Sequence, residues 1–119
     1  MNDFDKIAAL YLATWNEADE AQRRLLLNDW AEDARYSDPL MHGEGREGIS
    51  AMISAARAQF PGLGFKLHGA VDGHGCNIRF SWALSPENGE PVARGTDFVR
   101  VDEQGRIAAV TGFLDTGAA

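Results

Sequence analysis

Apolar and polar residues alternate with helical spacing at the start of the chain. Apolar side chains recur every three or four positions from Phe4 to Trp15, which predicts a first helix with one buried stripe. Asn2 or Asp3 can cap this helix, and the pattern stops near Asn16. The chain is therefore expected to open with a helix that buries one face.

A second helix is predicted immediately after the first. Asp19 is its candidate N-cap, with Gln22 three residues further on, as in a capping box. The apolar stripe of this helix runs on through Trp30 to Ala34, and the helix is expected to end before the segment Tyr36–Pro39. The reason is that a residue preceding proline is pushed out of the helical region.

The remaining pattern predicts one more helix and then only strands. A third helix spans about Arg46 to Gln59, after a glycine-rich loop. Beyond it, apolar and polar residues alternate, and three turn sequences interrupt the alternation. These turns are Asp72–Gly75, Asn88-Gly89 and Asp102–Gly105. Four long strands in an antiparallel meander, with helices on one face, make an α+β domain.

Length and charge narrow the possible functions. The 119 residues fit a single domain over residues 1–119. With 11 basic and 18 acidic residues the net charge is −7, which disfavours nucleic-acid and membrane partners because both recruit clustered Lys and Arg. No apolar run approaches the ~20 residues of a membrane-spanning helix, and the acidic start lacks signal-peptide character. Cys76 is the single cysteine, so no internal disulfide can form and a cytoplasmic protein is expected.

Asp97 is the first candidate for chemistry because aspartate is depleted in strands. By alternation it shares a face with Gly95 and Val99. If that face is buried, the pKa of its carboxyl group rises, and a neutral carboxylic acid can donate a hydrogen bond to a developing oxyanion. Alternatively, Asp97 faces water or pairs with Arg94 or Arg79.

Asp38 and Tyr11 are two further candidates. Asp38 follows the strand-like stretch Arg35–Ser37 and precedes proline. Its carboxylate is either a general base at a cavity mouth or a turn residue that binds its own backbone. Tyr11 lies on the apolar stripe of the first helix and is either an ordinary core tyrosine or a residue of the site, since a buried tyrosine needs a partner for its hydroxyl group in both cases.

Aromatic residues and histidines complete the candidates. Trp15, Trp30 and Trp82 are core residues or, if a cavity exists, its aromatic lining. His42 lies in the glycine-rich loop after Asp38 and either flanks the same site or is solvated. The three histidines show no metal-ligand spacing, so no metal site is predicted.

Short stretches of the chain, in their order and spacing, resemble a known family. They are Tyr11–Asn16, Trp30–Pro39, Gly45–Ile49, and Gly95–Phe98 followed by Gly105–Ile107. Together they are similar to the nuclear-transport-factor-2-like superfamily, in its SnoaL-like and ketosteroid-isomerase-like branch. The resemblance implies a cone, in which a strongly curved antiparallel sheet wraps around the three helices and encloses a cavity. It also implies a homodimer formed through the outer face of the sheet.

The resemblance assigns roles to three residues. Tyr11 matches the helix tyrosine of the ketosteroid isomerase oxyanion hole, Asp38 the carboxylate base before a proline, and Asp97 the protonated acid on a strand. The implied function is a cofactor-independent isomerase, cyclase or lyase that moves a proton on a small, mostly apolar, carbonyl-containing molecule. The expected substrate-binding residues are Trp15, Trp30, Tyr36, His42, Met52, Trp82 and Phe113.

Relatives with other activities use parts of the same residue set. SnoaL-like cyclases use a single strand aspartate as acid and base, which Asp97 alone could supply. Epoxide-hydrolase relatives use an Asp–Arg–Asp set, and Arg79, Asp97 and Asp115 supply these residue types. The chain departs from ketosteroid isomerases at Met52 and Ile53, where such an enzyme can carry an additional tyrosine.

A non-catalytic module of the same fold, which binds a small ligand or mediates dimerisation, is the alternative to an enzyme. An open apolar cavity of roughly 300–1,000 Å³ with converging carboxyl groups favours the enzyme. A cavity plugged by Trp15, Trp30 and Trp82 favours the module.

Overall fold

The helices and strands follow the predicted order, with two additional strands. The computed structural model describes residues 3–115. Its helices are α1 (Asp3–Asn16), α2 (Glu20–Leu27) and α3 (Gly45–Gln59), and its strands are β1 (Trp30–Ser37), β2 (His42–Glu44), β3 (Leu63–His74), β4 (Asn77–Pro86), β5 (Ala93–Val101) and β6 (Ile107–Leu114). No helix within residues 3–115 is long and apolar enough to cross a membrane.

The helix starts and ends agree with the sequence pattern at α1, α3 and the start of α2. Asn2, one of the two predicted caps of α1, lies outside the described residues. At α2, Asp19 Oδ1 accepts hydrogen bonds from the backbone N–H groups of Ala21 (2.8 Å) and Gln22 (3.1 Å). The prediction of Asp19 as N-cap is therefore confirmed.

The second helix is shorter than predicted. α2 ends at Leu27, and the segment assigned to its C-terminal half forms β1 instead. Trp30 and Ala34 are buried as expected, but on a strand that pairs with β2 and β6. The apolar spacing of this segment suits a helix as well as an irregular strand. Pairing with β6, from the far end of the chain, decides between them, because strand formation depends on the neighbouring strand more than on local preference.

The sheet is mixed rather than wholly antiparallel. Its strand order is β2-β1-β6-β5-β4-β3. Strands β3 to β6 form the predicted antiparallel meander, whereas β1 runs parallel to β6 and antiparallel to β2. The parallel pair arises because β1 precedes α3 in the chain and adds to the free edge of the last meander strand. The predicted α+β cone is confirmed, with this correction to strand direction.

Irregular pairing bends the sheet around the helices. Extra residues interrupt the register of β3 between His68 and Asp72, where Gly69 has a φ of 87°. A second irregularity lies in β1 between Trp30 and Arg35. Such bulges increase the local twist and curvature of a strand pair. The inner face of the curved sheet is apolar and packs against α1 and α3.

Candidate active site

An apolar cavity of about 150 Å³ lies inside the cone. Residues of α1, α3, the end of β1 and the inner faces of β3 to β6 form its walls. They are Tyr11, Trp15, Tyr36, Asp38, Leu40, Met41, Ala56, Arg57, Phe60, Leu63, Phe65, Trp82, Leu84, Ala93, Asp97 and Leu114. The volume is below the roughly 300–1,000 Å³ of pockets for drug-sized ligands. The cavity therefore suits a ligand smaller than a drug-sized molecule, and its volume does not meet the size expected above for an enzyme. The second expected feature is present, because two carboxyl groups, those of Asp38 and Asp97, border the cavity.

Tyr11 and Asp97 form a buried hydrogen-bonded pair in one wall. α1 presents Tyr11 and β5 presents Asp97, and each residue is 2% exposed. The Tyr11 hydroxyl donates to Asp97 Oδ2 at 2.5 Å. Burial, followed by the Asp97 charge, raises the Tyr11 pKa well above its usual value, so the phenol keeps its proton. Asp97 therefore does not face water or pair with Arg94 or Arg79, the alternatives that the sequence left open.

The Asp97 carboxyl group holds a proton more tightly than an exposed aspartate does. Burial is the largest cause and raises its pKa from 3.8 to about 6; the hydrogen bond from Tyr11 and the nearby Trp82 indole oppose the rise, and the charges of Asp38 and Asp115 add to it. Within the described residues, Asp97 Oδ1 is buried and has no hydrogen-bond partner. Since Oδ2 accepts from Tyr11, a proton on Asp97 resides on Oδ1, from which it can be donated to a ligand.

Asp38 is both a turn residue and a cavity residue. Its Oδ1 accepts hydrogen bonds from the backbone N–H groups of Leu40 (2.8 Å) and Met41 (2.9 Å), and its Oδ2 accepts from the Tyr36 hydroxyl at 2.5 Å. Burial, followed by this last hydrogen bond, raises the Tyr36 pKa above its ordinary value, so Tyr36 is the donor. Asp38 therefore binds the backbone of its own turn and also borders the cavity, while its role as a general base stays a prediction. These three donors hold the Asp38 carboxyl group in place.

Gly112 on β6 allows the two carboxyl groups to share one space. β5 and β6 pair Asp97 directly with Gly112, so their side-chain positions lie on the same face of the sheet. A Cβ atom added to Gly112 would lie 2.8 Å from Asp97 Oδ1, 3.1 Å from Asp38 Cβ and 3.5 Å from Tyr36 Oη. A side chain here would therefore push into Asp97. Its absence opens a gap that Asp97 and Asp38 both border.

Aromatic side chains form a wall of the cavity rather than a plug. Trp15 contacts Tyr36 and Phe65, with ring centroids 5.6 and 5.2 Å apart. Phe65 in turn contacts Trp82 edge-on at 5.2 Å. The predicted lining residues Trp15, Tyr36 and Trp82 are thus brought together around the cavity. Because the rings stand at steep angles to one another, they shape the space without filling it.

Four other residues predicted to bind substrate lie outside the lining. Trp30 is fully buried behind Tyr11, and Met52 is buried in the core on α3. His42 is exposed on β2, at the sheet edge. Phe113 is 50% exposed, because alternate residues of β6 face opposite sides of the sheet and Phe113 falls on the outer one. The structure therefore does not bring these four residues to the cavity.

Sequence patterns did not single out Arg57, which also borders the cavity. It lies in the last turn of α3, half-buried, and its Nη1 donates to the Trp15 carbonyl oxygen at 3.0 Å. The hydrogen bond between Tyr36 and Asp38 had a usable signal, since residues two apart on an extended segment face the same way. Between residues 3 and 115, no three His, Cys, Asp or Glu side chains are grouped as metal ligands would be.

Comparison with known sequences identifies one family. The model of the family described as "SnoaL-like domain" matches residues 7–110, which include Tyr11, Asp38 and Asp97. Among curated proteins, no sequence matches the chain.

Several solved structures are similar to this one. A proposed isomerase of the SnoaL-like family from Agrobacterium tumefaciens is 54% identical, with a TM-score of 0.92 and coverage of 97% of this chain and 99% of that one. A SnoaL-like protein of unknown function from Burkholderia thailandensis is 14% identical, with a TM-score of 0.74 and coverage of 94% of each chain. A proposed polyketide cyclase from Sinorhizobium meliloti is 19% identical, with a TM-score of 0.71 and coverage of 94% and 99%. The last two similarities establish the fold alone.

Proposed function

We propose that this chain, which belongs to the SnoaL-like domain family, is a cofactor-independent acid–base enzyme for a small, mostly apolar carbonyl compound. The observation that carries the proposal is the pair of carboxyl groups, Asp38 and Asp97, on either side of the gap at Gly112 in an apolar cavity. Their surroundings differ. Donors surround Asp38, whereas burial favours a proton on Asp97. The similarity to a proposed isomerase supports the same class of reaction.

The proposed reaction begins when Asp38 takes a proton from the carbon next to the substrate carbonyl. The electrons of the broken C–H bond form a C=C bond, and the carbonyl electrons move onto oxygen. Protonated Asp97 donates a hydrogen bond from Oδ1 to this enolate oxygen, while Tyr11 keeps Oδ2 occupied. Asp38 then returns the proton to another carbon of the conjugated system, which gives an isomer with no net change in atoms or electrons. Such general base catalysis typically contributes about 10²–10⁴-fold.

Isomerisation of cyclohex-3-enone to cyclohex-2-enone tests this reaction, because conjugation can be followed by ultraviolet absorbance. Exchange of the α-protons in deuterated water, followed by NMR, reports proton abstraction from cyclic ketones separately. Asp38→Asn should lower both rates by about 10²-fold or more with the fold intact. Asp33→Asn, an exposed change on β1, is the control for the amide substitution. Exchange no faster than in buffer, or exchange that Asp38→Asn leaves unchanged, would refute the proposed reaction.

A second candidate is a module that binds a ligand without converting it. The observation that favours it is the full use of Asp38 within its own turn, where Leu40, Met41 and Tyr36 all donate to it. A base that moves protons must release at least part of this arrangement. Ligand binding without α-proton exchange would select this candidate.

We also propose that two copies associate through the outer face of the sheet. Phe98 and Phe113 lie there, 45% and 50% exposed, with ring centroids 5.7 Å apart. Neighbouring exposed apolar side chains favour association. Sedimentation should give a dimer mass that falls for the double variant Phe98→Ser, Phe113→Ser but not for the exposed control Leu25→Ser. A monomeric parent protein would contradict the dimer. The net charge of −7 disfavours nucleic-acid and anionic-membrane partners, so we propose neither for this protein.

A further inference from the structure

Two residues that line the cavity each have a buried polar atom without a hydrogen-bond partner. Over residues 3–115, these are Trp15 Nε1 and Asp97 Oδ1. Both residues are almost fully excluded from solvent, at 4% and 2% exposure. A buried donor without an acceptor is costly, and native proteins pair nearly all such groups. The unpaired Trp15 N–H group therefore indicates that a ligand of this cavity carries a hydrogen-bond acceptor.

The two atoms flank the hydrogen bond between Tyr11 and Asp97. The Trp15 indole lies close enough to the Tyr11 hydroxyl to lower its pKa, although it makes no hydrogen bond. On the other side, Asp97 Oδ1 borders the gap at Gly112. A ligand oxygen beside the Tyr11 hydroxyl would therefore find a donor in the Trp15 N–H group.

Three other buried donors in or next to the cavity wall are already committed. Tyr11 donates to Asp97 and Tyr36 to Asp38. The Trp30 indole, which does not line the cavity, donates to Thr14 Oγ1 at 3.2 Å. Among these groups, only the Trp15 N–H is free to donate to a ligand.

Size and lining limit the rest of the ligand. A cavity of about 150 Å³ is the size that holds a benzene molecule in another protein. A fused four-ring skeleton does not fit within that volume. The walls also include the apolar side chains Leu63, Phe65 and Leu84, which suit contact with a hydrocarbon ring. The cavity thus has an apolar body and one polar wall.

We propose that Trp15 Nε1 donates a hydrogen bond to the oxygen of a single-ring ketone or enone bound in this cavity. The inference rests on the proposed function for its choice of cavity and of a carbonyl ligand. It goes further in naming the ring size and the donor. Trp15 binds the oxygen, and Asp97 Oδ1 supplies the second polar contact when it is protonated.

A matched pair of ligands isolates the oxygen. Cyclohex-2-enone carries the carbonyl group and cyclohexene does not, and each can be titrated into the 119-residue protein while NMR follows binding. Trp15→Phe should weaken enone binding about 3- to 10-fold more than cyclohexene binding, the range expected for one neutral hydrogen bond. Trp30→Phe is the control, because its N–H group is already used; it should affect both ligands by the same factor.

The parent protein offers a second measurement that needs no stable variant. The indole N–H signal of Trp15, one of three tryptophans, should move downfield with the enone and not with cyclohexene. An unmoved signal, an equal loss for both ligands, or no binding of either ligand would overturn the inference. Binding with the Trp15 signature but without α-proton exchange would leave the inference standing and refute the proposed chemistry.

Discussion

Replacing Asp97 by asparagine should change how protein stability depends on pH. Asp97 is buried, and its carboxyl pKa rises from 3.8 to about 6 on folding. Asparagine keeps the shape of the side chain and an oxygen that can accept from Tyr11, but it cannot ionise. The comparison between the two proteins therefore isolates the cost of placing a charge in this wall of the cavity.

The sign follows from which state binds the proton more tightly. Because the folded pKa is the higher one, the contribution of Asp97 to stability is fully present below about pH 4 and is lost as pH rises through about 6. A rise from 3.8 to about 6 corresponds to about 3 kcal/mol, at ~1.4 kcal/mol for each tenfold change in proton affinity. The Asp97→Asn variant does not lose this stability as pH rises, because asparagine does not ionise.

Urea unfolding of both proteins from about pH 4 to about pH 8 measures the effect. The free energy of unfolding of Asp97→Asn, minus that of the parent, should rise by about 2–3 kcal/mol across this range. Subtraction removes the other titrating groups, and Asp33→Asn at an exposed position controls for the amide itself. A difference that stays constant with pH would show that the Asp97 carboxyl group is not desolvated, and the acid role would fall with it.

Further predictions concern the same wall of the cavity. Gly112→Ala should destabilise the protein by about 1–3 kcal/mol in thermal or urea unfolding, because the new methyl group would meet Asp97 Oδ1 at 2.8 Å; an unchanged stability would contradict the close approach. Tyr11→Phe should cost about 1–3 kcal/mol and more at about pH 8 than at about pH 5, since Asp97 loses its donor when it is charged; equal losses at both pH values would argue against that hydrogen bond. The rate of enone isomerisation should fall about tenfold for each rise of one pH unit above about pH 6, because Asp97 loses its proton there. A rate that rises with pH through this range would exclude Asp97 as the acid.

Local patterns predicted most of the architecture. α1, α3 and the meander of β3 to β6 each have a hydrophobic period and end signals of their own, so they could be located without their neighbours. Asp97 also stood out locally, because a carboxyl group in a strand of alternating residues must face either water or the interior. The catalytic roles of Tyr11, Asp38 and Asp97 stay predictions, although the structure brings all three to one cavity.

β1 shows where a local pattern was insufficient. Its apolar residues are spaced as they would be on a helix, and its pairing with β2 and β6 makes the segment a strand. The pairing with β6 places Ser37 beside Thr111, and so carries Asp38 to the side of Gly112. No count along the sequence reveals that two segments so far apart are neighbours.

Local patterns located α1, α3, the meander and the candidate residues, whereas pairing between distant strands establishes which of these residues meet. The hairpin of β5 and β6 shows the reason. Val101 pairs with Ile107, and an unbroken register would place Thr111 opposite Asp97. An irregularity between Arg100 and Val101 shifts the pairing by one residue and places Gly112 there instead. Because one residue exchanges the two faces of a strand, this shift decides whether a side chain fills the gap between the two carboxyl groups.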